Sequence, residues 1–189
     1  MIDKYSWGME LPPTVSRNLI DIYKNWLYAD IRAALQPNRT DLVMVYQNIS
    51  HDFNKASAIR SGNAFLIKES YIVGARKIDF RGAVGTRSCE HVYHADNFNE
   101  VFDLLKASGY TIYAVDNILS YSPQNIFDCN FPRKSAFVMG EEQKGLDDKT
   151  IRKCDGMVYI EQFGSVRSMN VACAASCIMM EYSRRFRNK

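Results

Sequence analysis

Three stretches in the last third of the chain gather residues able to line a ligand pocket. They are Gly140-Glu141-Glu142-Gln143-Lys144-Gly145-Leu146, Ile160-Glu161-Gln162-Phe163-Gly164 and Ser168-Met169-Asn170-Val171. Gly140, Gly145 and Gly164 fall within 25 residues, and a glycine permits a backbone conformation or a close ligand approach that a side chain would block. The pattern excludes two common ligands. Gly82-Ala83-Val84-Gly85-Thr86 lacks the G-x-G-x-x-G spacing of a dinucleotide site. Gly140 to Gly145 has P-loop glycine spacing, but Leu146-Asp147 stands where that loop needs Lys and Ser/Thr. A metal is not expected either: Cys89, His91 and His94 sit on a strand pattern whose side chains alternate faces. Cys173 and Cys177, one helical turn apart, read as packing residues.

The elements that must position these residues follow from hydrophobic period. Apolar positions Leu19, Ile22, Tyr23, Trp26, Leu27, Ile31 and Leu35 recur at helical spacing, with Ser16 as an N-cap and Pro37 beyond the end. They predict an amphipathic helix over 16–35, after an irregular segment over 1–15. Strands are expected at 41–47, 70–73, 91–94, 111–115, 135–139 and 157–160. Helices are expected at 53–65, at 100–108 ending on Gly109, and at 169–186. Strands alternating with helices imply an α/β fold, a mainly parallel sheet covered on both faces. Ligands of such sheets lie beyond the carboxyl ends of the strands, where the three stretches fall.

A chain of 189 residues that is 47% apolar suits one domain with a sizeable core. Its apolar runs are far too short for a membrane span, and Met1-Ile-Asp-Lys-Tyr carries no signal-peptide pattern. Five scattered cysteines need no pairing in a reducing compartment, so a cytoplasmic location is expected. The net charge of +3 is mild. Its placement is more informative: Arg76, Lys77, Arg81 and Arg87 crowd one stretch and Arg184, Arg185, Arg187 and Lys189 close the chain. Such clusters are either solvated surface or a means of neutralising an RNA backbone.

Over roughly residues 41–185 the chain resembles the SpoU (TrmH-like) branch of the SPOUT trefoil-knot RNA methyltransferases. The first motif resembled is Asn48-Ile-Ser-His-Asp-Phe-Asn54-Lys-Ala-Ser-Ala-Ile-Arg60, the second Phe137-Val-Met-Gly140-Glu141-Glu142-Gln-Lys-Gly145-Leu146, and the third Ile160-Glu-Gln-Phe-Gly164-Ser-Val-Arg-Ser168-Met169-Asn170-Val171. The polar positions the family ties to function are filled by Asn54, Arg60, Glu142, Ser168 and Asn170. Two departures stand out: Glu161-Gln162 replaces a common Pro-Met, and Met169 replaces a Leu of similar volume. Glu161 places an acid beside the presumed cofactor pocket.

The resemblance implies a C-terminal trefoil knot, a homodimer and bound S-adenosylmethionine. It puts Val115, Gly140, Gly145, Ile160, Met169 and Asn170 at cofactor positions, within a methyltransferase domain over 41–189 preceded by a helical extension over 1–40. It implies methyl transfer to a ribose 2′-hydroxyl of tRNA or rRNA; the clustered Arg76, Lys77, Arg81 and Arg87 are candidate RNA contacts by their charge. Arg60 is the expected residue at the hydroxyl. A guanidinium is a poor proton acceptor, so stabilising charge and holding a phosphate suits it better than acting as a base. Asn54 either caps its helix or holds Arg60. Glu142 either pairs a cation or orients its loop, and Ser168 and Asn170 either cap the last helix or contact ligand. The competing functions are a catalytically inactive RNA-binding protein of the same fold, whose only support is Glu161-Gln162, and a metabolic α/β enzyme matched by chance.

Overall fold

The computed structural model describes residues 1–5, 19–74 and 78–187. Eight strands form one sheet in the order β1-β4-β3-β2-β7-β5-β8-β6. They are β1 (Asp3–Lys4), β2 (Val43–Gln47), β3 (Glu69–Val73), β4 (Val92–Ala95), β5 (Thr111–Val115), β6 (Gln124–Asn125), β7 (Ser135–Met139) and β8 (Gly156–Tyr159). All neighbours pair in parallel except β1, which runs antiparallel to β4. The helices are α1 (Tyr28–Leu35), α2 (Asp52–Phe65), α3 (Phe98–Ala107), α4 (Asp148–Lys153) and α5 (Val171–Phe186).

Every residue of β2 and β7 is buried, as expected of central parallel strands covered on both faces, which read as continuous apolar runs rather than alternating ones. One face packs Met44, Tyr46 and Phe137 against Ala56 and Ile59 of α2 and Ile178 and Tyr182 of α5. The other packs Val45, Val138 and Ile112 against Val101 and Leu105 of α3 and Ile151 of α4. From β2 the chain steps outward through β3 to β4, then returns across β7 to form β5. This reversal opens a crevice at the carboxyl ends of the central strands, and the loops after β5, β7 and β8 all end there.

Several sequence expectations need correction. The helix expected over 16–35 is not continuous. Residues 16–18 lie outside the described residues, Asp21–Tyr23 form a single 3-10 turn, and a helix exists only from Tyr28. The reason is burial: Ile22, Trp26 and Leu27 remain 65%, 41% and 43% exposed, whereas Tyr28 and Ile31 pack with Cys89 in a small satellite core. Periodicity without a surface to cover does not hold a helix. The segment expected to be irregular contributes β1, α4 and β6 pass unnoticed by periodicity because they have six and two residues, and α5 begins at Val171 rather than 169. Asn170 sets that start by accepting from Ala172 N–H at 2.9 Å and Cys173 N–H at 3.3 Å.

Candidate active site

A cleft of about 280 Å³ opens beyond the carboxyl ends of β5, β7 and β8. Its apolar lining includes Val115, Ile118, Met139, Ile160 and Val171, and its polar lining includes Asp116, Glu142, Lys144, Gln162 and Arg167. Gly140, Gly145, Ser168 and Met169 also line it. Six of the expected site residues outside α2 thus meet around one cavity, together with Glu142.

The cleft's shape is set by how its loops are stitched. Gly145 N–H donates to the Glu141 carbonyl at 2.8 Å and Glu141 N–H to the Gly145 carbonyl at 3.2 Å, closing the loop after β7. A Cβ on Gly140 would lie 2.4 Å from the Gly145 carbonyl carbon. Glycine is therefore required at 140 by the loop's own closure. Gly145 has φ +68° and faces Asp116, whose carboxylate oxygen would lie 2.6 Å from an added Cβ. Gly164 differs from the expectation: an added Cβ there meets nothing within 4 Å, so no close approach demands it. Asp116 accepts from Leu146 N–H at 3.3 Å, and Asn117 Nδ2 donates to the Arg167 carbonyl at 3.2 Å. These two residues join all three loops. Sequence reasoning missed them, although their position just after β5 was the available signal.

Asn54, Glu142 and Asn170 form one hydrogen-bonded chain. Asn54 Nδ2 donates to Glu142 Oε1 at 2.7 Å, and Asn170 Nδ2 donates to Asn54 Oδ1 at 3.1 Å. Glu142 Oε2 also accepts from Ser50 N–H at 3.1 Å. Burial disfavours the Glu142 carboxylate. The donations from Asn54, its own backbone and Ser50, with the nearby His51, outweigh that and hold its pKa below the ordinary value. The chain links the N-terminal turn of α2, the loop after β7 and the cap of α5. Asn54 and Asn170 stand beside the cleft rather than in its lining.

Arg60 lies nearly two turns further along α2, exposed and outside the cleft lining. Among the described residues it makes no ion pair or side-chain hydrogen bond. Arg81 is 90% exposed and is answered by Asp79, its Nε donating at 2.7 Å. The Arg87 guanidinium lies 5.5 Å from the Phe80 ring centre. Arg76 and Lys77 fall outside the described residues. His91 bonds Gln36 and His94 bonds the Gly74 carbonyl, so those rings serve the fold on separate partners.

The sequence profile of the "SpoU rRNA Methylase family" matches residues 41–180. The chain belongs to the SpoU rRNA methylase family. A tRNA (guanosine(18)-2′-O)-methyltransferase of Thermus thermophilus is 24% identical over 157 residues, covering 82% of this chain and 80% of that one. A 23S rRNA (guanosine-2′-O-)-methyltransferase of Neisseria meningitidis is 26% identical, covering 76% and 58%. The crystal structure of the SpoU methyltransferase AviRb from Streptomyces viridochromogenes superimposes with TM-score 0.70 at 25% identity, covering 81% of this chain and 63% of that one. This SpoU chain therefore spans less than two thirds of AviRb's length.

The cleft of this SpoU protein suits S-adenosylmethionine, which combines a flat base with an ammonium, a carboxylate and a sulfonium. Apolar side chains of the lining can flank the base, while acids and Lys144 and Arg167 offer opposite charges to the amino-acid end. Gln162 Oε1 is buried without a partner among the described residues, leaving an acceptor for a ligand donor. The acid at 161, unexpected for the family, does not enter the cleft lining. Its carboxylate accepts from Asn125 Nδ2 of β6 at 3.2 Å. The departure at 161–162 thus puts an amide, not a charge, on the cavity wall.

Proposed function

We propose that this SpoU protein transfers a methyl group from S-adenosylmethionine to a ribose 2′-hydroxyl of tRNA or rRNA. The observation that carries this reading is the hydrogen-bonded chain Glu142–Asn54–Asn170, which fastens the helix bearing Arg60 to the rim of a cleft suited to the donor. The names of the relatives support a guanosine ribose in tRNA or 23S rRNA as the target. When bound, the cofactor supplies an electrophilic methyl group. The chain's own residues do the rest. Gly140, Gly145, Ile160, Val115 and Met169 shape the donor site, and Ser168 offers a hydroxyl to it.

Asn54 and Glu142 fix the start of α2, so Arg60 projects from a rigid element. The Arg60 guanidinium holds an RNA phosphate and stabilises negative charge developing on the 2′-oxygen. The hydroxyl proton leaves to a phosphate oxygen or water. Holding hydroxyl and donor in line is the largest contribution, of order 7–11 kcal/mol in well-oriented systems. In this reading residues 1–40 are an extension of the domain over 41–189, Arg76, Lys77, Arg81 and Arg87 attract the RNA backbone, and the protein acts as a cytoplasmic homodimer with a knotted C-terminal segment. No helix among the described residues is long and apolar enough to cross a membrane. Titration calorimetry with S-adenosylmethionine and methyl incorporation into total RNA test the reading together. Donor binding without incorporation would leave an RNA-binding protein; absence of both would reject it.

A further inference from the structure

Phe53 is 70% exposed, although it stands one residue before Asn54 in the hydrogen-bonded chain at the cleft rim. Its setting is also organised. Gly82, buried in the 3-10 turn Phe80–Ala83, approaches so closely that an added Cβ would sit 3.3 Å from ring atoms Cδ2 and Cε2. The turn therefore braces one side of Phe53 and leaves the rest open. Seven residues separate Phe53 from Arg60, so they share one face of α2 about 10 Å apart along its axis. Arg60 is exposed too, and Arg81 projects from the bracing turn, 90% exposed.

We propose that Phe53 is a stacking platform for an unpaired nucleobase of the RNA, with Arg60 taking a phosphate of the same or the adjoining nucleotide. This rests on the RNA-methylating reading above and extends it to how the target is presented. Single-stranded RNA is recognised by splaying bases onto aromatic rings. A base held on Phe53 leaves its sugar free of a helical stack, next to Asn54 at the end of α2 that is tied to the donor cleft. The combination of an open ring with a cation two turns away favours a nucleotide over a second copy of this chain, which would be expected to bury both without using the charge.

The test uses the full-length protein with Phe53→Trp, Phe53→Leu and Phe53→Ala. Two readouts are needed: tritiated-methyl incorporation into small RNA from cells lacking the gene, and fluorescence anisotropy with a labelled 12-nucleotide single-stranded RNA. Because the ring is exposed, all variants should melt near the wild-type temperature and bind S-adenosylmethionine equally. F53A and F53L should lose RNA affinity roughly five-fold or more, with the loss falling on KM for RNA, while F53W keeps it. Leu equal to Trp, or Ala equal to wild type in both readouts, overturns the proposal. So does an F53A variant that becomes monomeric while wild type is dimeric, since the ring then belongs to a protein interface. If wild type transfers no methyl group but F53A still loses RNA affinity, methyl transfer fails and the platform stands.

Discussion

At the scale of single residues, short spaced motifs marked out Asn54, Glu142 and Asn170, but their hydrogen-bond partners could be read only from the structure. Asn54, Glu142 and Asn170 were each readable as a cap, a loop acid or a ligand contact. The structure gives Asn170 the cap of α5 and gives Asn54 and Glu142 to each other. Arg60→Ala should leave calorimetric binding of S-adenosylmethionine unchanged and lower kcat by about 10²–10³-fold, as for loss of one electrostatic stabiliser; unchanged turnover removes Arg60 from the chemistry. The Glu142 carboxyl is held below its ordinary value of 4.5. Its contribution to stability is therefore complete above that value and is lost as pH falls through the lowered folded pKa. Acid titration of the melting temperature should show this loss in wild type and a shallower acid limb in Glu142→Gln. Identical limbs would mean the bonds to Asn54 and Ser50 contribute nothing.

At the scale of elements, the strands of the buried sheet were readable almost to the residue, since β5 and β7 are continuous apolar runs bounded by polar turns. The extension was not, because an apolar stripe says nothing about whether a surface exists to receive it. The loops were half legible: their glycines marked them, yet Asp116 and Asn117, which bind the loops together, carry no motif. Gly140→Val should therefore do more than narrow a cavity. With Gly145 backbone atoms 2.4–2.6 Å from a new Cβ, the closed loop must open, at a cost of about 1–3 kcal/mol in stability, and donor binding should fall below detection by calorimetry. Gly164→Ala is the control: it meets open space and should bind the donor like wild type. Equal effects of the two would show that loop closure is not what the cleft depends on.

At the scale of the whole molecule, a mild net charge hides an uneven surface, and sequence counts overstate it: Arg81, apparently available to RNA, is already answered by Asp79. Charge reversal at Arg87 or at Arg81 should flatten the dependence of log affinity on log salt by about 0.7 for each phosphate no longer neutralised. Equal slopes across all three proteins would make this stretch ordinary surface. The amide of Asn170 carries a broader consequence, for it starts one helix with its oxygen and steadies another through its nitrogen. On the proposed function, a molecule that quiets the loop holding Glu142 also quiets α2, the helix proposed to meet RNA. Linkage then demands reciprocity: the factor by which a saturating donor tightens RNA must equal the factor by which RNA tightens the donor, commonly about 5–150-fold for coupled sites. In Asn54→Ala both factors should shrink toward one together, and an asymmetry between them would mean that the two events communicate by some other route.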